Sequence, residues 1–337
     1  MRIALDAMGG DFAPAETVKG ALLAAKEFDV DIDLVGLPER IELEMGKNGR
    51  RSPRVTVVPA SEVIGMEEEK IAQAVRTRRD ASINVAMSLM REGRVDAVVS
   101  AGNTGAVMAS ALLMLGRIRG IERPALGTLL PYNDGRVFLL DIGANADCKP
   151  AYLVQFAQMG SSYMETVLGI HHPRVGLLNV GTEDVKGNDL AQEAFERLRE
   201  SDLNFIGNVE GVNVHKGIAD VIVTDGFTGN VALKVAEGIA DYILEQVRGV
   251  IKSSPLYVSA SLLLKPALRR VLKRLQYEEY GGANLLGVNG VVVIAHGRAD
   301  ASAIKNAIRV AKIAAESGLV ASISASLTAA TAAAAAQ

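Results

Sequence analysis

Short apolar runs in this chain end again and again in loops that mix glycine with Asn, Asp or Thr. These loops occupy residues 6–11, 100–105, 141–145, 179–187 and 224–230. Each apolar run has the length of a buried strand and each loop precedes a helical pattern, which is typical of parallel α/β sheets. In an open parallel sheet such loops gather at the carboxyl edge of the strands, where ligands bind. Glycine admits a ligand close to the backbone and a helix start favours anions, so we predict a single polar, anion-binding cleft.

Helical periodicity after nearly every strand pattern sets the expected fold. The periodic segments cover residues 15–28, 82–91, 104–115, 151–168, 190–199, 230–250 and 301–316, and a last strand covers residues 291–295. This alternation predicts an α/β fold with a doubly wound, mainly parallel sheet in one domain over residues 1–317. Residues 318–337 lack charge and are rich in Ala, which predicts a frayed helical tail.

Composition narrows the class of protein. Of the 337 residues, 49% are hydrophobic, and the net charge of −3 gives no reason to expect a nucleic-acid partner. The single cysteine, Cys148, excludes an internal disulfide and fits a reducing compartment. The chain begins on a strand pattern and no stretch resembles a membrane span, so we expect no signal peptide and a cytoplasmic location.

One segment between the strand patterns is basic. Residues 246–277 contain no Asp or Glu, and leucines recur there at helical spacing, which predicts an amphipathic helical insertion over residues 250–280 that protrudes from the domain. One interpretation is a solvated helix packed on the domain, and the other is a docking helix for an acidic partner or an anionic membrane. The basic face of this predicted helix carries Lys265, Arg269, Arg270, Lys273 and Arg274.

The loop at residues 100–105 is the sharpest candidate for a ligand site. Gly102 and Gly105 bracket Asn103 and Thr104, so that backbone, amide and hydroxyl donors can converge on one oxyanion. The alternative is a tight turn in which Ser or Thr caps the following helix.

Two acidic residues flank the paired glycines of the first loop, which includes Gly10. Asp6 at the strand end is a base, a metal ligand or an orienting group, and Asp11 is either a ligand contact or the cap of a helix that starts near Pro14.

Further candidates follow later strands. The loop at residues 179–187 carries Glu183 and Lys186, and a lysine there suits a phosphate or a developing oxyanion, unless it is merely an exposed loop residue. His296 follows the last strand and is either a donor to a ligand oxygen or a structural histidine.

Several familiar devices are absent from the sequence. There is no G-x-G-x-x-G and no P-loop, which counts against a dinucleotide site, and there is no H-E-x-x-H and no G-x-S-x-G. Cys148 has no evident histidine partner, so we interpret it as a passive small residue. We therefore expect neither a cofactor nor a metal.

Taken in order, the loops resemble those of the bacterial phosphate acyltransferase family over residues 1–316. Two positions differ from the family pattern, since Asn213 replaces Asp and Asn284 replaces Pro. At position 284 we expect the difference to affect only the rigidity of a loop. The resemblance rests on residues 6–11, 100–105, 141–145, 179–187, 208–211, 225–230, 280–283 and 295–297.

The resemblance implies a fold like that of isopropylmalate and isocitrate dehydrogenases, shared with phosphotransacetylases. It also implies a homodimer that associates peripherally with the membrane. The implied reaction converts a fatty acyl thioester of acyl carrier protein and inorganic phosphate into acyl phosphate and free carrier protein. That product feeds phospholipid synthesis through a downstream glycerol-3-phosphate acyltransferase.

Roles for the candidate residues follow from this reaction as hypotheses. Phosphate needs positioning more than deprotonation, and the tetrahedral oxyanion needs donors, whereas a thiol leaving group needs no strong acid. The basic helix is expected to dock the acidic carrier protein, the membrane, or both. Alternatives are a transacylase of short acyl-coenzyme A and a phosphate-binding scaffold without turnover. We assign Gly102, Asn103, Thr104 and Lys186 to phosphate, Asn179, Asn230 and His296 to the oxyanion, and Gly10, Gly105, Asn145 and Glu183 to the remaining substrate contacts.

Overall fold

The computed structural model describes residues 1–49, 52–132, 135–261 and 281–336. The strands are Arg2–Asp6 (β1), Asp31–Gly36 (β2), Val55–Pro59 (β3), Ala97–Ser100 (β4), Ala125–Tyr132 (β5), Gly135–Leu140 (β6), Val175–Asn179 (β7), Phe205–Glu210 (β8), Val221–Val223 (β9), Ala283–Leu286 (β10) and Val291–Ile294 (β11). The helices are Ala15–Glu27 (α1), Pro38–Lys47 (α2), Ile71–Thr77 (α3), Ser82–Arg91 (α4), Thr104–Met114 (α5), Pro150–Leu168 (α6), Asp189–Arg199 (α7), Gly226–Lys252 (α8), Ala301–Glu316 (α9) and Leu319–Ala336 (α10), with a 3₁₀ helix at Gly211–Lys216.

The eleven strands within these described residues join one sheet in the order β3-β2-β1-β4-β11-β10-β5-β6-β9-β7-β8. Three neighbouring pairs are antiparallel, namely β11 with β10, β10 with β5, and β5 with β6, and the other pairs are parallel. The prediction of an α/β fold with a mainly parallel sheet is confirmed.

Side chains alternate between the two faces of the sheet, and each face has its own core. In β1, Ile3 and Leu5 lie in the core shared with α1, α6 and α9, whereas Ala4 lies in the core shared with α4 and α5. Helices therefore cover both faces, which is why the strands are almost continuously apolar.

The antiparallel pairs in the middle of the sheet reverse the strand direction. As a result, β1, β4 and β11 end at one edge of the sheet, and β6, β7 and β9 end at the other. The expectation that all glycine loops share one carboxyl edge is therefore wrong. Loops 6–11, 100–105 and 296–298 lie at the first edge, and loops 141–145, 179–187 and 224–230 lie at the second.

The helix at the C-terminus differs from the expected frayed tail. In α10, Leu319, Ile323 and Leu327 are buried in the same core as α6, and Thr166 Oγ1 donates to Ser322 Oγ at 2.8 Å. Three apolar residues at helical spacing were enough to dock the helix, although most of the segment is Ala, Ser and Thr.

Asn284 also differs from expectation, because it lies in the middle of the sheet rather than in a loop. It belongs to β10, its side chain is buried, and its Nδ2 donates to the hydroxyl of Tyr163 at 3.3 Å.

The basic residues predicted for docking, at positions 265–274, lie outside the described residues.

Membrane-spanning potential is low among the described helices. No single one of them is long and apolar enough to cross a bilayer, and only the bent pair Ala301–Glu316 and Leu319–Thr328, with a 49° bend, passes on length and composition.

Candidate active site

Three loops meet at the first edge of the sheet, after β1, β4 and β11, and we call residues 6–11, 100–105 and 296–298 the amide edge. Gly10 has a φ of +106°, and a Cβ atom there would lie 3.0 Å from the carbonyl oxygen of Gly297 and 3.2 Å from Cβ of Ala101. The N–H of Asp11 donates to the same Gly297 carbonyl at 2.8 Å. Only glycine fits at position 10, because of both the backbone conformation and the close approach.

The side chain of Asn103 organises the loop between β4 and α5. Its Oδ1 accepts from the N–H of Ala106 at 3.1 Å, which makes it the N-cap of α5, and its Nδ2 donates to the carbonyl of Met66 at 2.9 Å. The helix is therefore capped by Asn103 and not by Ser or Thr, which the alternative interpretation of this loop had predicted. Its predicted contact with phosphate has to use the backbone or the remaining amide hydrogen.

The amides of this loop have different partners. The N–H of Gly102 donates to Ser100 Oγ at 3.0 Å, so it is not free for a ligand. Thr104 and Gly105 begin α5, and within the part of the chain that the structure describes their N–H groups have no recorded acceptor. These two amides, with the N–H of Asn103, which likewise has no acceptor among the described residues, are donors that the amide edge offers to an anion.

His296 lies at the end of β11 with one ring nitrogen in use. The N–H of Arg298 donates to His296 Nδ1 at 3.1 Å. In the neutral ring the proton is then on Nε2, and the side chain is exposed. This geometry agrees with the predicted role as a donor to a ligand oxygen.

Asp6 and Asp11 differ in their surroundings. Asp6 is buried and its Oδ1 accepts a hydrogen bond from the N–H of Met8 at 3.2 Å. Of the three predicted roles, base, metal ligand or orienting group, these contacts fit the orienting group. Burial raises the pKa of Asp6, and hydrogen bonds from Ser82, Ser100 and the loop backbone oppose that rise. Asp11 does not cap α1, whose N-cap is Pro14 without a side-chain hydrogen bond.

At the second edge, Asp141 plays the corresponding part for loop 141–145. Its Oδ1 accepts from the backbone of Leu126, Gly143 and Ala144 at 2.9–3.1 Å, and its Oδ2 accepts from the backbone and side chain of Asn145 at 2.8 Å. Burial raises the pKa of Asp141, and these donors oppose the rise. The side chain of Asn145 also donates to the carbonyl of Pro124, so the residue holds the loop rather than standing free.

Asn230 lies in the first turns of α8, close to the same loop. Its Nδ2 donates to the carbonyl of Ile142 at 3.0 Å. Gly143 has a φ of +135°, and a Cβ there would lie 2.9 Å from that nitrogen. The amide group retains one hydrogen beyond this bond, so it can still serve as the predicted donor.

The loop at 179–187 is held by two asparagines. Nδ2 of Asn179 donates to the carbonyl of Lys186 and to Oδ1 of Asn208, both at 3.0 Å, and Asn208 Nδ2 donates to the carbonyl of Glu183 at 2.8 Å. Both amide hydrogens of Asn179 are therefore in use. Asn179 positions this loop and does not have a hydrogen left for an oxyanion.

Lys186 and Glu183 present their side chains on the surface of this loop. The Nζ of Lys186 lies 4.0 Å from Oε1 of Glu183, and the two side chains are 49% and 63% exposed. An exposed pair at this distance is weak, so the ammonium group is available to an anionic ligand.

Cys148 follows loop 141–145 as a half-buried thiol. Burial raises its pKa to about 11, and nearby carboxylates add to the rise. The thiol is therefore protonated near neutral pH, which fits the interpretation of a passive residue rather than a nucleophile.

The sequence of the chain matches one family over nearly its full length. Residues 1–322 match the model described as "Fatty acid synthesis protein". The chain belongs to this family. A relative named phosphate acyltransferase in Desulfitobacterium hafniense is 53% identical over 321 residues, which cover 95% of this chain and 96% of the relative. Another of the same name in Heliobacterium modesticaldum is 54% identical over 325 residues, 96% of each chain.

Solved structures similar to this member of the family share its fold at low identity. A phosphotransacetylase from Streptococcus pyogenes superposes with a TM-score of 0.63 at 18% identity, over 94% of both chains. A 4-hydroxythreonine-4-phosphate dehydrogenase from Klebsiella pneumoniae gives 0.57 at 14% identity, over 94% of this chain and 97% of its own. These likenesses bear on the fold alone, and they support the predicted α/β architecture.

Two residues of this family member take part in the site although no role was predicted for either. Met66 lies far from the amide edge in sequence, yet its Cε is 2.8 Å from where a Cβ of Gly297 would be. Asn208 holds the Lys186 loop from β8. A polar Asn between apolar residues of β8 was the available signal for Asn208, whereas nothing in the sequence marked Met66.

Proposed function

We propose that the protein converts fatty acyl thioesters of acyl carrier protein and inorganic phosphate into acyl phosphate and free carrier protein. It is an enzyme of acyl transfer to phosphate in lipid synthesis, as the family match and the full-length relatives show. The observation that carries the site assignment is the convergence of three glycine loops beside the unpaired amides of α5. We infer an overall fold of the isopropylmalate and isocitrate dehydrogenase type.

We place phosphate at the amide edge. The N–H groups of Thr104 and Gly105, the hydroxyl of Thr104 and the exposed ring of His296 supply donors there. Gly10 keeps the floor of this edge open, since any larger residue would collide with the Gly297 carbonyl. Anions bind well at such a helix start because several N–H groups point to one place.

We assign Lys186 and Asn230, at the second edge, to the thioester carbonyl. Adjacent strands rotate by about 20–25°, so the five steps from β4 to β9 accumulate roughly 100–125°. That rotation turns the carboxyl ends of β6, β7 and β9 part-way back toward the side reached by β1, β4 and β11. One substrate cleft between the two halves of the sheet is therefore compatible with the reversed strand direction.

A homodimer is part of the proposal. Along α8, apolar side chains recur at every third or fourth position and remain exposed, which is unusual for a helix of 27 residues. A second copy of the same helix would cover this stripe with matching apolar residues, as in coiled coils. The α8 stripe consists of Phe227, Val231, Val235, Ile239, Tyr242, Ile243, Val247 and Val250.

We further propose a cytoplasmic enzyme that binds membranes peripherally through the segment after α8. Leu256, Tyr257 and Val258 are exposed there, and the basic residues of positions 265–274 follow in sequence. Exposed apolar residues followed in sequence by a cluster of basic residues suit an anionic membrane or the acidic carrier protein. Replacing Arg269 and Lys273 by Glu should weaken binding to anionic vesicles and to carrier protein, and unchanged binding to both would contradict the docking role.

The reaction itself is tested by incubating the enzyme with palmitoyl carrier protein and phosphate and trapping the product with hydroxylamine. We expect palmitoyl hydroxamate, identified by its mass, and its formation should require phosphate. A parallel reaction with acetyl-coenzyme A distinguishes a transacylase of short acyl groups. Absence of hydroxamate above the enzyme-free control would overturn the assignment. In the proposed pathway, the acyl phosphate that this enzyme forms is consumed by an enzyme that acylates glycerol 3-phosphate.

A further inference from the structure

A buried line of polar atoms lies beneath the amide edge. Ser100 Oγ donates to Oδ2 of Asp6 at 2.8 Å and accepts from the N–H of Gly102 at 3.0 Å. Both side chains are buried, Asp6 with 4% of its surface exposed and Ser100 with none. The hydroxyl of Ser100 thus links a carboxyl group at the end of β1 to the backbone of the loop after β4.

Gly9 shows how closely the two loops approach this line. A Cβ on Gly9 would lie 2.7 Å from the N of Gly102, 2.8 Å from Oδ2 of Asp6 and 2.9 Å from Oγ of Ser100. The backbone of Gly9 is not in the left-handed region, so the close approach alone requires glycine there. Loop 6–11 and loop 100–105 are therefore packed against each other around the Ser100 hydroxyl.

This arrangement fixes which amides the loop can offer. The N–H of Gly102 is held inside by Ser100, and the chain then enters α5, where Thr104 and Gly105 carry the amides without a recorded acceptor in the described structure. A change in the direction of the Gly102 peptide would move both amides, because only Asn103 separates them from it. Binding of a small anion depends steeply on such placement.

We infer that Asp6 and Ser100 are positioning residues for phosphate, acting through the N–H of Gly102 to place the amides of Thr104 and Gly105. This inference rests on the proposed placement of phosphate at the amide edge. Neither side chain touches a substrate in this scheme. Their effect should therefore fall on phosphate and not on the acyl thioester.

The test compares Ser100→Ala with Ser110→Ala. Ser110 is an equally buried serine in α5 whose hydroxyl donates to Asn84 Oδ1 at 2.7 Å, so its loss costs a similar hydrogen bond away from the loops. Ser100→Ala removes the hydroxyl that links Asp6 to the N–H of Gly102, and this loss should raise the KM for phosphate about tenfold. The KM for the carrier thioester should stay unchanged, and Ser110→Ala should alter neither constant. Asp6→Asn, which keeps the side-chain size, should act in the same direction and serves if Ser100→Ala does not fold.

Thr104→Val separates failure of this inference from failure of the site. If Thr104→Val raises the KM for phosphate while Ser100→Ala behaves like Ser110→Ala, the positioning role is wrong. If neither Thr104→Val nor Ser100→Ala changes that KM, phosphate does not bind at the amide edge, and the inference is overturned with that placement. In both cases acyl phosphate formation by the wild-type enzyme still stands, whereas its absence would refute the proposed reaction itself.

Discussion

Nδ2 of Asn179 lies 3.0 Å from Oδ1 of Asn208, and this contact between the last residue of β7 and the neighbouring strand β8 holds the loop that carries Lys186. Asn208 in turn donates to the carbonyl of Glu183 in the same loop. The two amide side chains thus do for this loop what the buried aspartates do for the loops after β1 and β6. Their importance lies in where they place Lys186.

Replacing Asn208 by Ala should loosen the loop and impair turnover. The change removes two hydrogen bonds worth about 1 kcal/mol each, so urea unfolding should show a loss of about 1–2 kcal/mol. Because Lys186 is then less well placed, turnover should fall roughly 10–100-fold. Asn204→Ala is the control, since it removes a hydrogen bond to His172 outside the loop. Equal turnover in the two variants would contradict the holding role.

Lys186→Ala should lower turnover by about 10²–10³, the effect of removing one donor to an oxyanion. The fold should be little affected, because the exposed pair with Glu183 contributes at most about 1 kcal/mol. Steady-state kinetics at saturating phosphate measures the effect, and Lys216→Ala, an exposed lysine of the 3₁₀ helix, provides the control. Near wild-type turnover of the Lys186 variant would remove this residue from the mechanism.

Charge placed on the α8 stripe should break the proposed dimer. A double variant of Val235→Glu and Ile239→Glu puts two carboxylates into the apolar surface, and like charges from both copies would then face each other. Light scattering after gel filtration should report half the mass of the wild-type particle. Arg248→Glu adds negative charge to the opposite face of the same helix and should keep the dimer. A wild-type monomer would refute the proposal directly.

The reactivity of Cys148 should follow its raised pKa. The pKa rises from 9.0 to about 11 on burial, so the folded state favours the neutral thiol. Stability from this group is therefore complete below pH 9 and is lost as the pH rises toward 11. Alkylation by iodoacetamide, followed by mass, should be slow at pH 8 and accelerate above pH 9, with free cysteine as the reference. Cys148→Ala should retain turnover, and an inactive but folded variant would contradict a passive role.

Helix positions were predictable from this sequence, but strand directions were not. The periodic segments at 82–91 and 301–316 coincide with α4 and α9, because burial of one helical face leaves a local pattern. The reversal of the sheet depends instead on β10 pairing with β5, a contact between residues 125–127 and 284–286. The local sequence of a segment does not indicate which distant strand it pairs with, so the division of the loops between two edges of the sheet could not be predicted.

The candidate site was predictable as a set of loops but not as a set of side-chain roles. Asn103 caps a helix, Asn179 ties its loop to β8, and Asn230 bonds the backbone of Ile142. An amide side chain suits all of these tasks and ligand binding equally well, since it both donates and accepts. Only the surrounding partners decide which one it performs.

The β10–β11 hairpin joins two sheets that are otherwise separate. Without it, β3-β2-β1-β4 and β5-β6-β9-β7-β8 would each end in an unpaired strand, β4 on one side and β5 on the other. Because the hairpin lies at residues 283–294, a growing chain carries both open edges until most of its length has been synthesised. Open strand edges recruit other chains, so we expect products that terminate before residue 283 to aggregate, and chaperones to meet this protein late in its synthesis.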